Sequence, residues 1–531
     1  MLWSIFEGPR VYDGSGGAPF TTDVAVADGR VVALGDLSGR DALERIPCGG
    51  LALAPGFIDV HSHSDELWLV DPRCEGKIRQ GVTTEIGGNC GTSPAPLAGA
   101  ALERKRRDAR DYRLDVDWST FDAFFAAIER DGIALNVASL VGLGTTRLCV
   151  AGPAARPLDA GEIEAQNRLI RAAVEEGALG VSSGLIYEPG RYATTDELVA
   201  SAAAARDAGA PLYASHLRNE GDTLEDALEE AIAIGERADV AVQCSHHKAA
   251  GKRNWGKVHR TLAAIDRART RGAVVACDAY PYVASWTELA TLLPAAVRRG
   301  GDAAALERLR DPAQAAAAAL AMELARDPAL GGDGWDTVLV TDAGSGRNAE
   351  LAGLRLDEIA RRRRTRPARA AIALLVEEQL RVEAAFFSMS EDDVAAVFSA
   401  AFCCVGSDAS ARAFSGITAR GVPHPRTYGT FPRVFGRYVR GRRVFDVAEA
   451  VRRMTSLPAA LFGLERRGTI AREQHADLVV FDPERIVDRA TYENPFVAPE
   501  GIRDVYVNGR AVVRDGETTG ARPGRVLRNG R

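Results

Sequence analysis

With 531 residues, 46% of them hydrophobic and 26% charged, the chain has enough apolar material for a large buried core, which excludes intrinsic disorder. Its 66 basic and 72 acidic side chains give a net charge of −6, without the basic stripe that is typical of nucleic-acid-binding proteins. No apolar run approaches the length of a membrane span, and residues 1–11 lack the pattern of a signal peptide. We therefore expect a cytoplasmic protein with reduced thiols whose partners are neither nucleic acids nor membranes.

Both ends of the chain predict small β-sheets. Residues 23–34 alternate around Asp28-Gly29, a pair that is typical of a tight hairpin turn. Residues 477–481 predict a further strand, and residues 505–513 predict a second hairpin. We expect residues 1–54 and 466–531 to meet in one small β-sandwich domain, and two unrelated β appendages are the alternative.

Eight short apolar runs lie between these ends, and most of them precede a stretch long enough for a helix. Such alternation predicts parallel α/β architecture. Eight runs favour a closed (β/α)8 barrel of the TIM type over residues 55–465, and a doubly wound open sheet is the alternative. The runs are residues 53–60, 82–86, 135–141, 179–183, 212–214, 240–243, 273–276 and 402–405.

The chain between residues 289 and 389 is much longer than one crossover connection requires. It contains an Ala-rich helical stretch at residues 311–326 and surplus strand-like runs at residues 337–340 and 383–387. This pattern predicts an insertion on a late barrel loop near the active site, and a miscounted barrel strand is the alternative.

Side chains with metal-binding chemistry follow five of the apolar runs. Because barrel active sites lie at the carboxyl ends of the strands, we expect these side chains to converge on one centre. Imidazole, thiolate and carboxylate are the usual ligands of zinc. An inert core cysteine and a nucleophilic cysteine are the alternatives for Cys90 taken alone. The candidate ligands are His61, His63, Cys90, His216, His246 and Asp408.

Several ordered motifs resemble those of the amidohydrolase superfamily, and within it the N-acyl-D-amino-acid deacylases, or D-aminoacylases. The resemblance runs from about residue 13 to residue 508. The motifs are His61-Ser62-His63, Gln80-Gly81-Val82-Thr83-Thr84, Gly88-Asn89-Cys90-Gly91, Ser215-His216-Leu217-Arg218, Ser245-His246-His247-Lys248, Gly406-Ser407-Asp408, His424-Pro425-Arg426 and Tyr428-Gly429-Thr430-Phe431.

The resemblance implies a zinc centre. Cys90, His216 and His246 match the ligands of the more tightly bound ion. His61, His63 and Asp408 match a second, weaker position, with Cys90 able to bridge both. His247 is the alternative to His246 as a ligand.

The same resemblance implies hydrolysis of the amide bond of N-acyl-D-amino acids by a metal-bound hydroxide. Asp408 is then the general base and acid, because it takes a proton from the water and delivers it to the departing amine. Tyr187 matches a tyrosine near the substrate carbonyl, with a packing or gating tyrosine as the alternative. Arg426 matches a carboxylate-binding arginine, with a surface ion pair as the alternative, and Tyr282 and Ser285 match a substrate-contacting stretch.

Two other functions are compatible with the sequence. A cyclic-amide hydrolase of the hydantoinase or dihydroorotase type shares the His-x-His motif, but many such enzymes bridge two metals with a carboxylated lysine. No lysine occurs between Lys105 and Lys248, where the third and fourth predicted strands end. A non-catalytic scaffold of the same fold is the other alternative, and it would not need to retain six ligand-type residues.

Overall fold

The computed structural model describes residues 3–344 and 346–530, in which strands and helices are mixed throughout. Residues 1, 2 and 531 of the predicted terminal domain, and residue 345 of the predicted insertion, lie outside the described residues. The strands are β1 (Trp3–Glu7), β2 (Arg10–Val11), β3 (Phe20–Thr21), β4 (Asp23–Ala27), β5 (Arg30–Gly35), β6 (Ala42–Pro47), β7 (Ala52–Pro55), β8 (Phe57–Asp59), β9 (Val82–Gly87), β10 (Asn136–Ser139), β11 (Val141–Gly142), β12 (Val181–Gly184), β13 (Leu212–His216), β14 (Ala241–Cys244), β15 (Val275–Ala279), β16 (Ser285–Glu288), β17 (Val338–Asp342), β18 (Glu383–Phe386), β19 (Cys403–Val405), β20 (Leu478–Phe481), β21 (Ile502–Val507), β22 (Arg510–Arg514) and β23 (Glu517–Thr518). The α-helices are α1 (Leu67–Val70), α2 (Glu75–Ile78), α3 (Gly99–Ala109), α4 (Phe121–Asp131), α5 (Leu143–Ala151), α6 (Ala160–Glu175), α7 (Thr195–Asp207), α8 (Leu224–Ala238), α9 (Lys257–Thr270), α10 (Ala295–Arg298), α11 (Asp302–Arg310), α12 (Pro312–Arg326), α13 (Leu356–Arg362), α14 (Pro367–Glu377), α15 (Glu391–Ser399), α16 (Arg426–Arg433), α17 (Val447–Met454) and α18 (Ser456–Leu461).

Two parallel sheets form from the predicted apolar runs. The first has the order β10-β9-β8 and the second has the order β11-β12-β13-β14-β15-β19. Only Leu140 separates β10 from β11. Beyond the ends of β8 and β19, Ser62 and Ala409 form a parallel bridge, and the Asp408 N–H donates to the His61 carbonyl at 2.8 Å. The two sheets are therefore linked along one edge through Leu140 and along the other edge through the contacts between residues 61–62 and 408–409.

The apolar run at residues 53–60 is two strands rather than the single one expected. Strand β7 pairs with β20 and β2 near the chain ends, whereas β8 pairs with β9 in the parallel sheet. Gly56 separates the two because its N–H donates to the Asp477 carbonyl, and a side chain there would overlap Thr83. Hydrophobicity alone does not reveal this change of sheet.

The parallel strands bury both faces, so their side chains divide between two apolar clusters. Val137, Tyr213 and Cys403 pack against the helices, whereas the next residues along the chain, such as Ala138 and Ala214, belong to a cluster on the opposite face. This division follows the period of two that a strand imposes. In the described ranges no helix is both long and apolar enough to cross a bilayer.

The chain ends form two further sheets: β5-β4-β1-β6 comes from the amino-terminal end alone, and β23-β22-β21-β20-β7-β2-β3 combines strands of both ends. The hairpin predicted around Asp28-Gly29 forms as β4 and β5, and the one around Asn508-Gly509 forms as β21 and β22. Strand β20 pairs with β7 in the second sheet, so residues from both ends share one layer.

The long segment before β19 has its own antiparallel sheet, β16-β18-β17, and its own apolar core, to which α11, α12, α13 and α14 contribute. The helix and the two strands expected there form as α12, β17 and β18. Strand β16 begins at Ser285, before the expected start of the insertion at residue 289. This places one strand of the added sheet next to the carboxyl ends of the parallel strands.

Candidate metal centre

The carboxyl ends of the parallel strands surround a cavity of about 410 Å³. Its size is that of a small-molecule binding site. All six predicted ligands lie at this end of the strands: His61 and His63 follow β8, Cys90 follows β9, His216 ends β13, His246 follows β14, and Asp408 follows β19.

Four of these side chains form a compact group. One donor atom from each of His61, Cys90, His246 and Asp408 lies within 4.8 Å of the others. Cys90 Sγ lies 3.3 Å from His61 Nε2 and 3.4 Å from His246 Nε2. Ligands of a tetrahedral zinc ion at about 2.0–2.3 Å are separated from one another by about 3.3–3.8 Å. The observed separations therefore suit zinc.

His63 and His216 complete the group. His63 Nε2 lies 3.1 Å from Asp408 Oδ1. The His216 ring packs edge-on against His246 with centroids 4.4 Å apart, and neither of its buried ring nitrogens has a hydrogen-bond partner in the part of the chain that the structure describes. Glu220 Oε2 approaches His216 Nε2 only to 3.8 Å, which is too long for a hydrogen bond. Because buried polar atoms are nearly always bonded, the free nitrogens of His216 suit a metal ion.

The neighbouring His247 faces elsewhere. Its Nε2 lies 2.7 Å from the Thr261 hydroxyl of α9, and burial lowers the pKa of His247 to about 4. The ring therefore packs as a neutral group against a helix. This geometry favours His246 over His247 as the ligand.

Three of the donor residues have a left-handed backbone. The φ angle is +52° at Cys90, +36° at His246 and +52° at Asp408. Such a conformation costs a non-glycine residue roughly 1–3 kcal/mol and persists only where the surrounding structure imposes it. Here it is found at residues whose side chains line the cavity, which is the usual location of backbone strain in enzymes.

The charges of the centre favour a cation. Burial opposes ionisation of Cys90, but His61 and His246 hold the pKa of its thiol well below the usual range. Burial also opposes ionisation of Asp408, but Arg426 and His246 hold the pKa of that carboxyl well below its usual range. The surroundings therefore favour the deprotonated form of both groups, which is the form that binds a metal ion.

Two carboxylates that the sequence patterns did not indicate, buried Asp278 and partly buried Glu220, contact the predicted ligands His61 and His246. Asp278 Oδ2 lies 3.3 Å from His61 Nδ1, and its Oδ1 accepts the backbone N–H of His246 at 2.8 Å. Glu220 Oε1 lies 3.0 Å from His246 Nδ1 and 2.5 Å from Lys248 Nζ. Partners of this kind orient a ligand ring and select its tautomer.

Arg426 lies beside the donor group and is only 1% exposed. Its Nη1 lies 2.9 Å from Asp408 Oδ2, its Nη2 donates to the Trp286 carbonyl at 3.2 Å, and its guanidinium stacks 4.5 Å from the centroid of the Tyr280 ring. The backbone N–H of Arg426 donates to His424 Nδ1 at 3.0 Å. Such burial contradicts the alternative of a surface ion-pair arginine.

Tyr187 and Ser285 also line the cavity. The Tyr187 ring lies 5.0 Å from that of His216, and its hydroxyl lies 3.0 Å from Thr287 Oγ1. Burial, together with the nearby Cys90, raises the pKa of Tyr187 well above its usual value. The hydroxyl therefore keeps its proton and is available as a hydrogen-bond donor.

Tyr282 lies away from the cavity, which differs from the prediction. Its hydroxyl donates to the Pro425 carbonyl at 3.4 Å, and its ring packs against His424 and Arg433. The Tyr282 N–H donates to the Tyr280 carbonyl at 2.9 Å, so the chain turns sharply between the two tyrosines. Tyr280 therefore lines the cavity in place of Tyr282.

Comparisons with known proteins agree with this arrangement. Residues 403–513 match the model of the amidohydrolase family. The chain is 40% identical to the N-acyl-D-glutamate deacylase of Alcaligenes xylosoxydans xylosoxydans over 99% of its own length and 96% of that relative. It is 36% identical to the D-aminoacylase of the same organism, over 98% and 97% of the two chains. The chain belongs to the N-acyl-D-amino-acid deacylase family of amidohydrolases.

The structural comparison extends to a deacylase with a bound inhibitor. The crystal structure of N-acyl-D-glutamate deacylase from Bordetella bronchiseptica, complexed with zinc and a phosphonate mimic of the tetrahedral intermediate, has a TM-score of 0.83 at 36% identity and covers 99% of both chains. A dihydropyrimidinase from Brevibacillus agri has a TM-score of 0.57 at 17% identity, which shows the fold alone.

Proposed function

We propose that this member of the deacylase family hydrolyses the amide bond of N-acyl-D-amino acids, which yields a carboxylate and a free D-amino acid. One observation carries the proposal: a single cavity holds the metal-donor group and, 2.9 Å from Asp408, a buried guanidinium suited to a substrate carboxylate. The names of relatives at 36–40% identity over nearly the whole chain support the D configuration.

The donor set fits zinc because it combines imidazole, thiolate and carboxylate, and because neither nitrogen of buried His216 has a hydrogen-bond partner among the described residues. Cys90, His216 and His246 would hold the more tightly bound ion. His61, His63 and Asp408 would hold a second, weaker one. When bound, zinc supplies a Lewis acid that polarises the amide carbonyl and lowers the pKa of water to about 7.

Asp408 is the residue that moves the proton. Its anionic carboxylate accepts a proton from the attacking water and transfers it to the amide nitrogen as the C–N bond breaks, so the amine departs neutral. Arg426 Nη1 contacts Oδ2 of this carboxylate at 2.9 Å, while Oδ1 lies next to His61 and His63. These contacts fix the orientation of the carboxylate in the cavity.

The substrate is oriented by groups that adjoin the metal-donor residues in the cavity. The planar fork of Arg426 pairs with the α-carboxylate, a geometry that a lysine cannot reproduce. The protonated hydroxyl of Tyr187 donates to the carbonyl oxygen as negative charge develops there. Ser285 and Tyr280 contact the amino-acid part, and Tyr282 supports the segment that carries Arg426 through the Pro425 carbonyl.

We further propose that the two parallel sheets form one closed (β/α)8 barrel of the TIM type. The single residue between β10 and β11 and the bridge between Ser62 and Ala409 support closure. Residues 55–465 would then be the barrel, with an insertion at 289–389, and residues 1–54 and 466–531 would form the β-sandwich domain. Eight unpaired cysteines support a cytoplasmic location.

The test is a panel of N-acetyl D- and L-amino acids with acidic, neutral and aromatic side chains, with zinc content measured on the same preparation. We expect release of free D-amino acids, and hydrolysis of the L series at least about tenfold slower. Hydrolysis of cyclic amides without hydrolysis of linear ones would contradict the proposal in favour of a hydantoinase-type enzyme. Inactive protein without zinc would contradict it in favour of a scaffold.

A further inference from the structure

A buried lysine contacts residues that lie close in the chain to the predicted ligands His61 and Asp408. Lys77 of α2 is fully buried. Its Nζ donates to Asp59 Oδ2 at 2.7 Å, Ser407 Oγ at 2.8 Å and the Ala409 carbonyl at 2.9 Å, and it lies 2.8 Å from Glu85 Oε1. One ammonium therefore links residues from three separate strand ends.

Each of these partners adjoins a metal-donor residue. Asp59 lies two residues before His61, and its Oδ1 accepts the backbone N–H of Ser407 at 2.8 Å and of His61 at 3.3 Å. Ser407 and Ala409 lie on either side of Asp408. Ser62 and Ala409 otherwise meet in an isolated bridge, so Lys77 reinforces a junction with few backbone contacts.

Glu85 extends the network on the other side. Its Oε1 accepts the hydroxyls of Ser62 at 2.7 Å and Ser64 at 2.8 Å, and its Oε2 accepts the Trp68 indole N–H at 2.8 Å. The two serines alternate with His61 and His63 along the chain. The carboxylates of Glu85 and Asp59 are therefore buried next to the ligand backbone with Lys77 as the cation between them. Removing that cation leaves them uncompensated.

The predicted ligands of the tighter metal position do not share this support. Within residues 3–344 and 346–530, no hydrogen bond joins Lys77 to Cys90, His216 or His246, or to the residues next to them. Glu220 contacts His246 instead, and Asp278 contacts both the His246 backbone and the His61 ring. The direct contacts of Lys77 therefore lie next to only one of the two proposed metal positions.

We propose that Lys77 is a positioning residue that sets the orientation of His61, His63 and Asp408, and so controls occupancy of the weaker metal position and proton transfer by Asp408. Lys77 does not line the cavity and touches no substrate. The rate readout of this proposal rests on the proposed function, whereas its zinc readout does not.

The test compares Lys77→Met, Lys77→Arg and the control Arg147→Met. Arg147 is another buried cation, paired with Glu197 at 2.6 Å away from the cavity, so its loss removes a buried ion pair without touching the centre. For each variant, zinc is titrated into apoprotein in competition with a chromogenic chelator, and kcat, KM and the melting temperature are measured.

For Lys77→Met we expect zinc affinity of the weaker position to fall about 10- to 100-fold, the range typical for partners that orient metal ligands. We expect kcat to fall because Asp408 is less well positioned for proton transfer, KM to change less than about threefold, and affinity of the tight position to be unchanged. Lys77→Arg keeps the charge and should recover part of the loss. Arg147→Met should lower the melting temperature only.

Equal weakening of both zinc positions in Lys77→Met, or a lower melting temperature with unchanged zinc affinity and kcat, would overturn the proposal. If Lys77→Met does not fold, Lys77→Gln, which retains two N–H donors, is expected to show the same selective loss to a smaller degree. Wild-type protein that binds zinc but hydrolyses no N-acyl-D-amino acid would contradict the proposed function alone, because the zinc titration decides the role of Lys77.

Discussion

The cavity has two walls of different construction. The metal wall consists of the carboxyl ends of the parallel strands, where β13 and β15 are buried at every residue and buried carboxylates hold the imidazoles. The substrate wall includes β16 of the added sheet, whose residues are half-buried or exposed. If the proposed function holds, the reaction chemistry rests on the buried parallel strands, whereas recognition of the substrate uses the more exposed strand β16.

Substitutions on the two walls should therefore change different measured quantities. Changes on the metal wall should lower zinc content or kcat. Changes on the substrate wall should mainly raise KM, because they remove binding that is shared by the ground state and the transition state.

The largest effect is expected for His216→Ala. It removes the proposed ligand, whose two buried ring nitrogens have no hydrogen-bond partner in the described ranges, so tightly bound zinc and activity should be lost together. Because the metal contributes several kcal/mol to the reaction, activity should fall by at least about 10³-fold. Zinc content by elemental analysis and kcat/KM test this. His247→Ala is the matched control and should retain zinc, and a His216→Ala protein with normal zinc would exclude His216 as a ligand.

A large effect without loss of tight zinc is expected for Asp408→Ala. The substitution removes the group that transfers the proton, so kcat should fall by about 10²- to 10⁴-fold. Cys90, His216 and His246 remain, so one zinc ion should stay bound after dialysis. Steady-state rates and zinc stoichiometry on one preparation test both statements. Near-normal turnover would show that another group moves the proton.

The metal wall was the more predictable of the two from sequence. Each ligand follows an apolar run, and the rule that barrel sites lie at strand ends brings distant residues such as His61 and Asp408 together. Tertiary partners were not predictable in this way. Lys77 contacts Ser407 across 330 positions, and nothing in its local sequence indicates that contact. Asp278 is an acidic residue inside the buried strand β15, and this position is the clearest sequence signal for a partner of the metal-donor residues.

The substrate wall was less predictable because it depends on turns. Tyr280 and Tyr282 stand two positions apart, which would place them on one face of a strand, but the sharp turn at Pro281 directs only Tyr280 into the cavity. Glu220 follows His216 by one helical turn in sequence, yet it reaches His246 through an irregular loop. Loop conformation of this kind is set by packing rather than by the periodicity of the chain.

On the substrate wall the largest effect is expected for Arg426→Ala. Hydrogen bonds to a charged group contribute about 1.5–3 kcal/mol, so KM should rise by about 10- to 100-fold. The contact with Asp408 Oδ2 predicts a smaller fall in kcat. Arg426→Lys keeps the charge without the planar fork and should give an intermediate KM. An unchanged KM in both variants would place the substrate carboxylate elsewhere.

The smallest effects are expected for Ser285→Ala and Tyr282→Phe. Comparing these two variants tests which of the two side chains contacts the substrate. Ser285 lines the cavity, so loss of its hydroxyl should cost about 0.5–1.5 kcal/mol of binding, or roughly a two- to tenfold rise in KM. The Tyr282 hydroxyl bonds the Pro425 carbonyl at 3.4 Å instead, so Tyr282→Phe should change KM less than about twofold. Initial rates over a range of substrate concentrations compare the two. A larger KM for Tyr282→Phe than for Ser285→Ala would show that Tyr282, and not only Tyr280, contacts the substrate.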